Sequence, residues 1–378
     1  MKKILMMIVS AALFAVLFSS CKDDKKDGDG DKPKDYSGYE YSQLSPEKQK
    51  EKLAADAKAV IEKLNGLSDA SAIELLLSFG ELSENFPLLG GEDEDEYYPE
   101  EEYEIWGAPR KAAEAAEDLI YIKDFYGKFT WNSKTGKWDE SASANKLIIV
   151  LPAKRGETTN NGQIEISAES SGEFADGIEL PKSLKISLLI GGKSVGSIEV
   201  KGGSVSNSSA PKSASIKMTL DDYALEYSFN KGNKSTTSIK FSKGSETLLY
   251  GVADLTADVD NLIEKEDVNY IENGNFELKL NDKVAFAGSV DYKNIAKLDE
   301  NALGAEKYAE EMNKYVKLYL VSLSDKTKIA DIKFSGIEEG PELVFGDKSH
   351  ATIDAFFGEG FDTVIDAWEK FINKMDKF

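Results

Sequence analysis

The first periodic apolar positions in this chain are helical. Ser45-Pro46 supplies a hydroxyl cap and a proline for the first helical position, and Leu53, Ala57, Val60, Ile61 and Leu64 then recur as one stripe. The spacing predicts a helix over 46–65, ended by Asn65-Gly66. A second helix starts at Asp69 or Ser71 and turns Ile73, Leu76, Leu77 and Phe79 inward. A third follows Pro109, where alanines at 112, 113, 115 and 116 permit close packing, and the segment 90–106 between them reads as an acidic loop.

From about residue 127 the period changes to two. Phe129 and Trp131, a turn over 132–136 and then Trp138 predict a hairpin, and Leu147 to Leu151 is a short continuous apolar strand. Leu184, Ile186, Leu188 and Ile190 alternate with polar residues, Gly191-Gly192-Lys193 turns the chain, and Gly196, Ile198 and Val200 return on the same face. The pattern recurs with Ile216, Met218 and Leu220, then Tyr223, Leu225, Tyr227 and Phe229, then Ile239 and Phe241. It recurs again with Phe276, Leu278 and Leu280, then Val284, Phe286 and Val290. A helix near 305–313 precedes a hairpin of 316–323 with 328–334. Phe361, Val364, Ile365, Trp368, Phe371 and Ile372 then predict a closing amphipathic helix.

A sheet with one apolar face needs a cover, and the helices at the two ends can supply it. The predicted fold class is therefore α+β: a large twisted antiparallel β-meander with N-terminal and C-terminal helices packed on one face. The expected organisation is a helical region over 45–126 and a sheet region over 127–378, forming one compact unit over 45–378.

Residues 22–44 carry Lys, Asp, Gly and Pro33 with almost no apolar side chains, which predicts a flexible tether. With roughly 23 coil-like residues its r.m.s. reach is about 25–30 Å. Before it, Lys2 and Lys3, the apolar run Ile4 to Phe18 and Ser19-Ser20 lead to Cys21, the chain's one cysteine. The apolar run is short of the ~20 residues a membrane-spanning helix needs, and the order of charges, apolar core and small residues is that of an export signal over 1–20.

Leu17-Phe18-Ser19-Ser20-Cys21 resembles a bacterial lipobox, and Lys22-Asp23-Asp24 resembles the Lys plus two acidic residues that mark lipoproteins for the outer face of the outer membrane in Bacteroidota. The resemblance covers about the first two dozen residues. It implies an acylated Cys21, a protein lipid-anchored in the outer membrane and displayed at the cell surface, and no remaining thiol for disulfide, zinc-thiolate or cysteine chemistry. The meander itself coarsely resembles the half-barrel carriers of bacterial lipoproteins and lipids, in which a curved sheet cups an acyl chain under helices. No motif carries that second likeness.

The charge balance is 46 − 68 = −22, and 44 − 68 = −24 once residues 1–20 are removed. Such a chain repels phosphate backbones, and Arg110 and Arg155 are its two arginines, so nucleic acid is not an expected partner.

Candidate chemistry is sparse. Gly192-Lys193-Ser194-Val195-Gly196 carries the letters of a nucleophile elbow but falls in a hairpin turn, and its base would have to be His350, the one histidine. No catalytic residue is assigned and no enzyme is expected. Glu92, Asp93, Glu94, Asp95, Glu96, Glu100, Glu101 and Glu102 form the one segment of distinctive character. Weak calcium binding, a partner contact and a solvated loop all fit it. No other cofactor is expected, and no firm metal site.

Two functions fit these observations. One is a surface-displayed binding or adhesion protein of the envelope with a glycan or protein partner, for which Trp131, Trp138 and Tyr103 are candidate stacking platforms. The alternative is a carrier of a lipid or other hydrophobic ligand, with Leu225, Tyr227, Phe229, Phe276, Leu278 and Phe286 as the apolar ligand face. A carrier needs an apolar void on the order of 300–1,000 Å³, whereas a binding module packs solid.

Overall fold

The computed structural model of the chain describes residues 32–64, 66–83, 86–88, 121–143, 145–175, 178–202, 212–232, 234–265, 270–336, 340–353 and 355–357. Helices α1 (Pro46–Leu64) and α2 (Ser71–Leu82) form where the stripe patterns predict them. Six strands follow: β1 (Gly127–Asn132), β2 (Lys137–Ser141), β3 (Leu147–Leu151), β4 (Gly162–Ala175), β5 (Ile178–Ile190) and β6 (Lys193–Gly202). Next come β7 (Ser213–Leu220), β8 (Tyr223–Asn230), β9 (Ser235–Lys243), β10 (Glu246–Ala257), helix α3 (Val259–Lys265), β11 (Ile271–Leu280) and β12 (Val284–Asp291). The short helices α4 (Tyr292–Ile295) and α5 (Glu300–Leu303) lead to α6 (Ala305–Tyr315) and to β13 (Val316–Ser322), β14 (Thr327–Gly336), β15 (Gly340–Phe345) and β16 (His350–Thr352). The third helix after Pro109 and the closing helix over 361–372 lie outside the described residues.

The described chain divides into two compact units. The first is built on 32–66, 201–217 and 222–357, the second on 67–200 and 218–221.

In the second unit the strand order is β2-β1-β3-β4-β5-β6. Within the expected antiparallel meander the β1–β3 pair is parallel, because the chain leaves the β1–β2 hairpin and returns on the other side of β1. Phe129, Ile149, Leu151, Ile164 and Leu188 are buried on one face, and Ile73, Leu75 and Leu77 are buried on α2. The inward position on α2 is Leu75, fully buried, rather than Leu76, which is half-buried. Two glycines let the helix sit close. A Cβ at Gly162 would come within 2.6 Å of Leu75 Cδ1, and one at Gly196 within 3.1 Å of Ala72 Cβ and 2.8 Å of the Thr219 carbonyl. The first turn of α2 is held by Asp221, whose Oδ2 accepts from Ser71 N at 2.6 Å.

In the first unit the strands run in sequence order from β7 to β16. The alternation along each strand separates two faces. On one, Val284, Val290, Val316, Leu318, Leu320, Ile332, Phe334 and Leu343 share a cluster with Leu53 of α1 and with Ala309 and Met312 of α6. A smaller cluster at the β7–β8 end joins Ala214, Tyr227, Phe229 and Val259 of α3. The sequence pattern missed β10, and a bulge explains why. The register shifts between Thr247 and Leu249, so Leu248 interrupts the alternation and is fully buried.

Candidate functional site

The opposite face of the first unit carries a feature that composition did not predict. The tether expected to run to residue 44 ends earlier, because residues 34–42 are docked on the sheet. Tyr36 is 1 % exposed and packs with Ala285, Ala287 and Val321. On β12 these alanines alternate with Val284, Phe286 and Val290, so the strand is bulky toward the helices and small toward Tyr36. The socket is made by that asymmetry. At its base the Tyr36 hydroxyl donates to Oε1 of Glu277, a carboxylate only 2 % exposed. Lys34 N donates to Oε2 at 3.4 Å, and Lys279 Nζ stands 3.3 Å from Oε1. Buried charge of this kind is tolerable because every partner is present. Tyr39 closes the socket edge-on at 5.2 Å, with Lys34 Nζ 5.3 and 5.5 Å from the two ring centroids.

At Tyr41 the segment makes a single β-bridge to the sheet. Tyr41 bridges Lys328 of β14 in parallel, with Lys328 N donating to the Glu40 carbonyl and Ser42 N to the Lys328 carbonyl, both at 2.8 Å. The Tyr41 hydroxyl donates to Asp331 Oδ2 at 2.7 Å, and Lys328 Nζ sits 4.6 Å from the Tyr41 ring and 4.9 Å from that of Tyr319. Lys328 Nζ is also 3.1 Å from Asp331 Oδ1, an ion pair by distance without hydrogen-bond geometry. Burial, and then the facing carboxylates, push both phenols well above the ordinary tyrosine range. The strap is thus held by two centres, Tyr36 on Glu277 and Tyr41 on the Lys328–Asp331 pair.

The six residues expected to form an apolar ligand face lie along β8, β11 and β12 but do not share one cavity. Tyr227 and Phe229 belong to the cluster with Val259, and burial pushes the Tyr227 phenol up to about 12. Phe276 and Phe286 pack against the cluster under α1 and α6. Leu225 is half-buried opposite Phe241, and Leu278 is 41 % exposed. Leu278 faces Gly251 and Gly251 faces Ile239, itself 38 % exposed, which leaves a narrow open apolar strip between the two packed ends. Beneath α1 a void of about 20 Å³ is bounded by Leu53, Ala57, Leu280, Val284, Phe286, Phe356 and others. That is room for one water and not for an acyl chain.

Of the aromatic platforms, Trp138 is spent on packing. Its ring lies 5.1 Å from Phe86, 6.4 Å from Phe79 and 5.3 Å from Trp131, and its Nε1 donates to the Leu82 carbonyl at 3.3 Å. Trp131 ends this cluster on β1, half-buried, with Asn160 Nδ2 donating to its carbonyl at 2.6 Å. His350 is exposed and stands 3.3 Å from Glu342 Oε2, with no nucleophile paired to it among the described contacts. Gly191 and Gly192 have φ of 58° and 77° in the β5–β6 turn, and Ser194 lies within β6 and does not open a helix. Buried Glu179 accepts from Ile122 N at 3.0 Å and from Ser170 Oγ, a structural role.

Cys21, Lys22, Asp23, Asp24, Tyr103 and the acidic residues Glu92, Asp93, Glu94, Asp95, Glu96, Glu100, Glu101 and Glu102 lie outside the described residues. Among the described residues no three His, Cys, Asp or Glu side chains group as metal ligands, and no helix is long and apolar enough to cross a membrane. Compared with known proteins, the chain matches no family model, and no curated protein or solved structure is similar to it beyond chance.

Proposed function

We infer that this chain is a lipid-anchored binding or adhesion protein of the bacterial envelope, held in the outer membrane by an acylated Cys21, displayed at the cell surface through Lys22-Asp23-Asp24, and recognising a glycan or protein partner with its exterior. The anchor and address rest on the lipobox-like run and the residues after it. The observation that favours binding over carrying is the size of the void beneath α1, about 20 Å³ among the described residues. A hydrophobic-ligand carrier requires more than ten times that volume.

The finer arrangement of the fold belongs to the same reading. Phe357 packs against Phe286 with tilted rings, their centroids 5.6 Å apart, and Phe286 is the cross-strand neighbour of Leu278. The amphipathic run 361–372 follows directly, and its apolar side suits the open strip of Leu278, Gly251 and Ile239. In this reading it completes the cover begun by α1 and α6 on one face.

The test is a native mass spectrum of the mature protein extracted from membranes. The expected spectrum shows the acylated chain without a further apolar adduct. A reproducible lipid-sized adduct, lost on denaturation, would overturn surface binding in favour of the carrier.

A further inference from the structure

The docked strap changes what the anchor does to the folded body. If residues 22–44 were all free, Cys21 would hold the body on a coil with an r.m.s. reach of about 25–30 Å. The described contacts begin at Lys34, so twelve residues, 22–33, separate the acylation site from the first docked backbone. Twelve residues span at most about 40 Å when fully extended. The point of entry matters as much as the length. Lys34 and Tyr36 lie over β11 and β12 on the face opposite α1 and α6, and the chain passes to the helix face only after Ser42 has paired with β14.

We propose that residues 34–42 are a clasp that turns the strap-bearing face of the first unit toward the lipid headgroups and leaves its α1/α6 face outward. The inference rests on the anchor reading above. Two features of the sheet hold the clasp itself in place. Ala285 and Ala287 leave room for the Tyr36 ring on this face, and Glu277 and Asp331 each receive a tyrosine hydroxyl from the strap. The clasp makes the lipid surface the neighbour of this face by tether length and attachment point, without insertion into the bilayer.

The experiment uses the mature lipoprotein in phosphatidylethanolamine–phosphatidylglycerol vesicles carrying a headgroup-attached quencher. A fluorophore is placed at Lys333→Cys or at Glu310→Cys, both exposed. Lys333 lies between the helix-facing Ile332 and Phe334 and so points to the strap side, whereas Glu310 is on the outer side of α6. The Lys333 site should be quenched at least twofold more than the Glu310 site. Tyr36→Ala with Tyr41→Ala should bring the two toward equality, with exchange protection lost at the Ser42 and Lys328 amides. Should that double variant fail to fold, twelve Gly/Ser residues inserted after Asp31 should equalise the quenching while those amides stay protected. Equal or reversed quenching in the otherwise unchanged chain overturns the orientation while the anchor stands. Protein that stays in the aqueous phase, with Cys21→Ala making no difference, overturns the anchor and the orientation with it.

Discussion

Tyr36 and Tyr41 stand in environments that their neighbours in sequence do not suggest. Each is a phenol set among Lys, Asp, Gly and Ser, yet each is docked against a carboxylate. Tyr36→Phe keeps the ring in its socket but removes one donor from a buried carboxylate, a loss of about 1–3 kcal/mol in docking. Hydrogen exchange at the Tyr39 and Ser42 amides should report it as faster opening of the strap, and unchanged protection would deny the Glu277 contact its role. The pH dependence has a definite sign. Both phenols have folded pKa values raised above the unfolded one near 10. Their contribution to docking is therefore fully present below pH ~10 and is lost as the pH rises above it toward the folded values. A tyrosinate absorbance titration should show a late-ionising population that shrinks in the Tyr36→Phe variant; if all tyrosines ionise together near pH 10, the burial argument fails.

Among the elements, α2 separates what periodicity predicts from what packing decides. Ile73, Leu76 and Leu77 satisfy a helical stripe, but Leu75 is the side chain aimed at Gly162 on the sheet. Leu75→Ala should cost about 2–5 kcal/mol by leaving a cavity, and Leu76→Ala under about 1.5 kcal/mol at its half-buried position. Urea unfolding followed by the fluorescence of Trp138, which packs against Phe79 of the same helix, gives both values. Equal losses would mean that α2 sits on the sheet differently. The rotation by one residue was not legible because four apolar residues, Ile73 and Leu75 to Leu77, offer two stripes of similar quality. Strands show the same division. β7, β8, β11 and β12 were read from clean alternation and Asp- or Asn-Asp turns, whose Asp221, Asn281 and Asp282 take positive φ. β10, with its bulge at Leu248, and β4, whose register breaks at Ser170, had no clean alternation to read.

At the scale of the whole molecule, the anchor reading predicts that Cys21→Ala releases the protein from the membrane fraction, since acyl chains contribute about 0.8 kcal/mol per buried methylene and little else holds an acidic body to a membrane. Fractionation of cells checks this, and undiminished membrane association of the variant would remove the anchor from the account. Local chemistry was enough for the sheet-rich α+β class, the helices at 46–64 and 71–82 and the hairpin turns, because caps, turn residues and periodicity act within a few positions of one another. The parallel β1–β3 pair, the division into two units and the docking of 34–42 were decided by tertiary structure. Each depends on partners distant along the chain, and Tyr36 meets Glu277 across 241 residues. A polar segment becomes part of a core only when the fold has already built the socket that receives it, and no window of sequence around Tyr36 contains Ala285, Ala287 or Glu277.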